Sequence, residues 1–327
     1  MRSLVVVRDT PMDFKSATIE DRNLDRSSSK GANTILTALR NVCRNVVVYN
    51  NTETFLDNLS KHKEDVIFPM LYGLNSSSSS KSLIPAMCEG YGIQYIGADS
   101  YAHALCNDKK LSTLYAKEFG IQSAKSVLLR FLNPREKEAL CDLRLPLIVK
   151  PNFGGSSTGI AASNVTYSYS ATYELAKHLY QAHNIPILVE EIVEGYEIEF
   201  IVVGNQQRIL FSSEVKLLMN QKDYFTDEIW GYETKKVDDS NVDFVPSDLL
   251  PQRTKEAMIR LFQSFNKIEF MRFDGRLCNG VFHLIELSPD CYLGDDCAVA
   301  AAFFSKDHSY EDMFKIIISS SSTPDLS

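Results

Sequence analysis

Between Leu4 and Gly97, short apolar runs alternate with stretches whose apolar residues recur at helical spacing, and this alternation constrains the fold more than any other feature. Leu4 to Val7 reads as a buried strand. Lys30 to Arg44 reads as a helix, with Ile35, Leu36, Leu39 and Val42 on one side. Val46 to Tyr49 is a second strand, Thr52 to Lys61 a short helix, and Val66 to Met70 a third strand. A helix over Leu83 to Tyr91 and a short strand at Gln94 to Gly97 close the unit. Strands separated by helices pair in parallel, because each crossover returns the chain in the same direction. The polar stretch 9–30 and the serine run Ser76 to Ser80 read as loops, since neither can build a core.

After Gly97 the pattern changes. A helical stretch spans Tyr101 to Phe119, and strands follow near Ser126 to Arg130 and Leu145 to Lys150. A helix over Ser168 to His183 and a strand at Ile187 to Glu190 lead into a β-rich part, which a helix over Ser247 to Asn266 interrupts. At 327 residues the chain is long enough for two or three domains. A net charge of −8 argues against nucleic-acid or anionic-membrane binding as the main task. No run reaches the ~20 apolar residues of a membrane helix. The seven cysteines form no CxxC pair and read as reduced thiols, which points to the cytoplasm. The six histidines show no metal-ligand spacing, and no GxGxxG follows an early strand, which argues against an oxidoreductase.

Three segments carry chemistry. In Pro146 to Ile160 a buried strand delivers Lys150, and a loop with Gly154, Gly155, Ser156, Ser157, Thr158 and Gly159 follows. Small residues let backbone N–H groups approach phosphate oxygens, and a lysine adds charge. The lysine precedes the glycines, so this is not a Walker A loop; an ordinary hairpin loop with a solvated lysine is the alternative. In Ile187 to Phe200, Glu197 and Glu199 share one strand face and Tyr196, Ile198 and Phe200 the other. A carboxylate there could accept from ribose hydroxyls, and backbone groups near Glu191 to Val193 could read a base edge; a solvated acidic face is the alternative. The third segment is a hairpin of Phe270 to Leu277 with Gly280 to Ser288. A three-residue loop centred on Gly280 sets Asp274 opposite Glu286 and Arg272 opposite Ser288, with Met271, Phe273, Ile285 and Leu287 packed inward. Two opposed carboxylates call for a cation, and Mg²⁺ suits oxygen donors. The alternative is a surface on which Arg272 neutralises both acids.

Taken together, these segments resemble the ATP-grasp superfamily and, within it, the D-alanine–D-alanine ligase family. Asp65 to Pro69, Gly92 to Gly97 and Ala104 to Lys109 are similar to the end of the family's first domain and its first ATP-contacting lysine. The resemblance implies a mixed α/β fold of three domains, 1–98, 99–190 and 191–327. The first is a parallel-sheet domain, and ATP lies between the other two. It implies phosphate contacts from Lys109, Lys150, Ser156 and Ser157, adenine contacts at Glu190, Glu191 and Val193, and a ribose contact at Glu197. Tyr232 to Lys235 resembles a mobile loop that brings the catalytic Lys235, and Asn220 to Asp239 reads as a lid. Arg272 stands as the intermediate-stabilising arginine. Asp274, Glu286 and Ser288 stand as ligands of Mg²⁺, with Mn²⁺ as the alternative ion.

The departures gather on the substrate side. Ser288 replaces an asparagine ligand, and Asp290 is the alternative donor. Leu71 to Asn75 replaces a histidine-glycine motif, and no glycine-serine-glutamate motif stands between Arg8 and Lys30. Pro289 to Gly294 replaces a serine-proline-glycine pattern, and Lys236 a tyrosine. The resemblance therefore implies an ADP-forming ligase that joins a small-molecule carboxylate to an amine through an acyl phosphate, with substrates other than two D-alanines. The competing expectation is an ATP-binding regulator or partner protein with reduced catalysis. Dimers are common in the resembled family, which is the ground for expecting a homodimer.

Overall fold

The computed structural model describes residues 2–11, 26–71, 80–155, 159–231 and 242–321. The first unit holds β1 (Leu4–Arg8), α1 (Ser29–Val42), β2 (Val46–Tyr49), α2 (Thr52–Asn58), β3 (Val66–Met70), α3 (Leu83–Tyr91) and β4 (Gln94–Tyr95). Its four strands run parallel in the order β2-β1-β3-β4. The alternating pattern of the sequence leads to this arrangement. The serine run lies outside the described residues, except for Ser80, which opens a short 3-10 turn.

Next come α4 (Ser100–Asn107), α5 (Lys109–Lys117), β5 (Gln122–Ser123), β6 (Ser126–Leu129), α6 (Pro134–Ala139), β7 (Leu147–Pro151), β8 (Val165–Thr166), α7 (Tyr169–His183) and β9 (Ile187–Glu191). The single helix expected over Tyr101 to Phe119 is broken at Asp108, whose backbone is extended. The Asp108 carboxylate accepts from Leu111 N and so caps the second helix. The strands β6-β9-β7-β8 form a small antiparallel sheet whose own core includes Leu147, Val149, Leu179, Ile187 and Val189.

The last part holds β10 (Gly195–Gly204), β11 (Ile209–Met219), β12 (Tyr224–Phe225), β13 (Val242–Pro246), α8 (Gln252–Gln263), β14 (Phe270–Cys278), β15 (Val281–Ser288), α9 (Ala298–Phe304) and α10 (Tyr310–Ser320). It forms a seven-stranded sheet in the order β13-β11-β10-β14-β15-β5, with β12 on β10. One face, with Ile198, Phe200, Met271, Phe273, Leu284 and Leu287, packs on α8, α4 and α5. The other face, with Ile201, Val203, Phe211, Val215 and Phe270, shares a core with α1, α9, α10 and the first sheet.

The β14–β15 hairpin corrects one expectation and keeps another. Its turn has two residues, Asn279 and Gly280, both at positive φ, and Cys278 pairs with Val281. Taken alone, that turn would offset the carboxylates by one position. A bulge between Asp274 and Gly275 absorbs the offset: Gly275 pairs with Leu284 while Asp274 still pairs with Glu286 and Arg272 with Ser288. Ile285 is the extra residue, so Leu284 takes the core place expected of Ile285. Gly275 sits where a Cβ would come within 2.3 Å of Phe282 Cζ and 2.5 Å of His283 O. Gly275→Ala is expected to destabilise the protein by about 1–3 kcal/mol. Gly90→Ala, in open space at the end of α3, should not. Thermal unfolding of both variants checks the contrast.

Candidate active site

Across β10, β14 and β15, directly opposed residues share a face, and three rows line up on it. Ile201, Arg272 and Ser288 form the first row. Glu199, Asp274 and Glu286 form the second, and Glu197, Arg276 and His283 the third. The period of two would continue the apolar Ile201 and Val203 into Glu199 and Glu197, so the face changes from core to charge midway along β10.

Arg272 joins the acids. Its Nε donates to Asp274 Oδ1 at 2.6 Å and its Nη2 to Asp274 Oδ2 at 2.8 Å. The same Nε lies 3.0 Å from Glu199 Oε2. Burial opposes the guanidinium charge, but Asp274 and Glu199 outweigh it and hold the pKa well above its usual value. The Ser288 hydroxyl lies 3.5 Å from Asp274 Oδ2.

Two lysines reach the site from elsewhere in the chain. Lys109 opens α5, and its ammonium contacts Glu286 Oε1 at 3.0 Å and donates to the carbonyl of Gly154. One side chain therefore ties the glycine loop to the carboxylate strand. Burial pushes the Glu286 carboxyl up, yet Lys109 prevails and holds it below its usual range. Lys150 on β7 pairs with Glu190 on β9 at 2.5 Å, and both are buried. They lie on the face of the small sheet opposite its core, because Val149 and Val189 alternate with them.

Asn152, inside the Pro146 to Ile160 segment, positions Lys109. Its backbone carbonyl accepts from Lys109 N at 3.0 Å, its Oδ1 accepts from Lys110 N at 3.0 Å, and its Nδ2 donates to Asp108 Oδ1 at 2.9 Å. Asn152 is fully buried. Asn164 braces the far end of the loop through Val149 O at 2.6 Å and Gly159 O at 2.8 Å.

At the segment expected to read a base, Glu191 holds Arg144, with Nη2 to Oε2 at 2.9 Å. Arg276 is a residue that sequence reasoning missed. Its Nη1 donates to Val193 O at 3.0 Å, and its Nη2 lies 3.3 Å from Glu197 Oε2. Its position two residues beyond Asp274 on an alternating strand was the available signal. A pocket of about 360 Å³ opens beside Glu191 and Val193, and neither Lys109 nor Lys150 lines it.

Lys235, Ser156 and Ser157 lie outside the described residues, as do residues 232–239 of the expected lid. The structure brings together Lys109, Arg272, Asp274, Glu286 and Ser288, and the charge of Lys150 also acts on Glu286. The fit to a metal is that of hard oxygen donors: two opposed carboxylates, one of them held ionised. Mg²⁺ needs only one or two protein carboxylates when phosphates supply other ligands. Asp290, the alternative donor, is paired with Lys81 at 2.6 Å. Beside that pair lies His103, buried and lowered to about 4 by desolvation, with Asp290, Lys81 and Glu89 acting on it through their charges.

The chain matches the family model described as D-ala D-ala ligase C-terminus over residues 116–319. It is 28% identical over 207 residues to a D-alanine–D-alanine ligase of Corynebacterium jeikeium (strain K411), covering 62% of this chain and 52% of that protein. It is 26% identical over 218 residues to D-alanine–D-alanine ligase A of Escherichia coli (strain K12), covering 64% of this chain and 56% of that one. The matched part thus spans little more than half of these relatives. Among solved structures, D-alanine–D-alanine ligase from Bacillus anthracis superposes with a TM-score of 0.71 at 16% identity, covering 98% of this chain and 97% of the other. The VanG D-Ala:D-Ser ligase from Enterococcus faecalis gives 0.68 at 16% identity, covering 97% and 98%. These likenesses show the three-part α/β fold.

The buried pairs make two expectations measurable. Lys150→Ala strands the Glu190 charge and should cost about 3–5 kcal/mol, with partial recovery on adding Glu190→Gln; denaturant unfolding reads both. His103 stays neutral in the folded chain down to about pH 4, whereas an unfolded histidine protonates near 6.5. Its contribution is complete above that value and is lost as pH falls towards 4, by on the order of 3 kcal/mol. Comparing unfolding of the wild type and His103→Asn across this window should show a flatter acid limb in the variant.

Proposed function

As the chain belongs to the D-alanine–D-alanine ligase family, we propose that it is an ATP-dependent carboxylate–amine ligase that forms ADP and works through an acyl phosphate. The observation that carries this reading is the Lys109 ammonium, shared between the Gly154 carbonyl and Glu286. It joins a loop suited to phosphate oxygens to a strand suited to a metal.

In this reading ATP lies with its base at Glu190 to Val193, its ribose at Glu197 and its phosphates at Lys109, Lys150 and the Ser156–Ser157 loop. Lys235, which lies outside the described residues, is the further phosphate-binding lysine of this reading. Asp274 and Glu286 would hold Mg²⁺, or Mn²⁺, beside the Ser288 hydroxyl. The ion supplies positive charge to the phosphate oxygens during transfer. Lys109 and Lys150 neutralise the same charge from the protein side, and each keeps a carboxylate partner so that neither is buried alone. Arg272 would face the oxyanion that forms when the amine attacks the activated carboxyl.

Substrates other than two D-alanines are supported by the loop after β15. Its Asp290 is committed to Lys81, and its Tyr292 ring fills the space beside Gly31 and Gly294. Amino acids or related small molecules remain the class. The acidic chain supports neither a nucleic-acid nor a membrane partner, and among the described residues no helix is long and apolar enough to cross a bilayer. A cytoplasmic homodimer completes the reading. The second reading, a nucleotide-binding regulator, draws on the Arg272 fork, which engages both oxygens of Asp274.

ADP release with Mg-ATP and pooled amino acids, omitting one pool at a time, separates the two. A ligase should need one or two pools and lose at least about 100-fold in Lys109→Met and Asp274→Asn. Tight nucleotide binding with no release from any pool would favour the regulator.

A further inference from the structure

The Arg272 fork raises a problem for the metal reading on which this inference rests. It takes both oxygens of Asp274, at 2.6 and 2.8 Å. A divalent cation brought to Asp274 would meet the guanidinium charge at close range. Arginine does not deprotonate in proteins, so it cannot yield by losing its charge. Released without a partner, it would be an unpaired buried cation, which is costly.

Glu199 stands on the other side of the guanidinium. It faces Asp274 directly across β10 and β14, is 2% exposed, and places Oε2 3.0 Å from Arg272 Nε. Packing does not account for a carboxylate here, because Ile201 and Val203 continue the same face as hydrocarbon. The proposed ribose contact is the preceding acid on that face, Glu197. Glu286 is engaged by Lys109, and Ser288 offers only a neutral hydroxyl. We infer that Glu199 is a positioning residue that takes over Arg272 when Asp274 turns to a divalent cation. The exchange needs only side-chain rotation of the arginine, and the guanidinium stays paired throughout. It also sets where Arg272 points during the reaction, since a guanidinium held by Glu199 leaves its other edge open to substrate.

The test is Mn²⁺ binding to the full chain with a non-hydrolysable ATP analogue, followed by electron paramagnetic resonance. Glu199→Gln should weaken Mn²⁺ about 10- to 100-fold, the range seen for partners of metal ligands. The same substitution placed on Arg272→Met should have no further effect, because nothing then screens Asp274. Unchanged affinity in Glu199→Gln would overturn the inference. Equal weakening in both backgrounds would overturn it too, since Glu199 would then act on the metal without Arg272. Should Arg272→Met not fold, the Arg272 Nε resonance supplies the readout. It should shift on adding Mg²⁺ in the wild type and not in Glu199→Gln, and a stationary wild-type signal would overturn the exchange. Mn²⁺ binding that is indifferent to both Asp274→Asn and Glu286→Gln would instead sink the metal site of the ligase reading, and this inference with it.

Discussion

The structure depends on one sheet face that is hydrocarbon over half its length and ionic over the rest. On β10 the change falls between Ile201 and Glu199, and on β14 between Phe270 and Arg272. Charges that leave water need partners at short range. Five buried or half-buried groups therefore arrange themselves as neighbours: Glu199 and Asp274 around Arg272, and Glu286 on Lys109. That requirement brings the start of α5 against β15 and, through Gly154, draws in the loop after β7. The same contacts that satisfy the buried charges assemble the site.

The local patterns were legible in the sequence. Alternation produced the parallel first sheet, and period two placed Arg272, Asp274, Glu286 and Ser288 together. The route to that last result was different from the expected one. The turn is a residue shorter, and the Ile285 bulge restores the pairing. Nothing in a hydrophobic pattern distinguishes a three-residue loop from a two-residue turn with a compensating bulge, because both return the same residues to the same face. The Leu284 and Ile285 exchange is the trace that separates them.

What stayed hidden depends on distant parts of the chain meeting. Asn152 follows β7 by one residue, but its work on Asp108 and Lys110 exists only once β7 lies beside α5. The Lys81–Asp290 pair joins the first unit to the loop after β15, and neither residue carries a local signature. Arg276 carries only its place on an alternating strand as a signal, and its role depends on its guanidinium meeting Val193 and Glu197.

The cores differ in what they join. The first sheet and the large sheet share one body of hydrocarbon, in which Val6 and Ile35 lie with Ile201 and Phe314. The small sheet keeps its own, built from residues between Val127 and Val189. Its ties to the neighbours are largely polar: Asn152 at α5, Lys109 at Gly154, Arg276 at Val193, and the Tyr167 hydroxyl at Asp227. Separating a shared apolar core exposes oil to water, whereas polar ties can be traded for water at little net change. Hydrocarbon thus divides the molecule into a heavy frame that carries Asp274 and Glu286 and a smaller sheet that carries Lys150 and is fastened to the frame mainly through polar contacts.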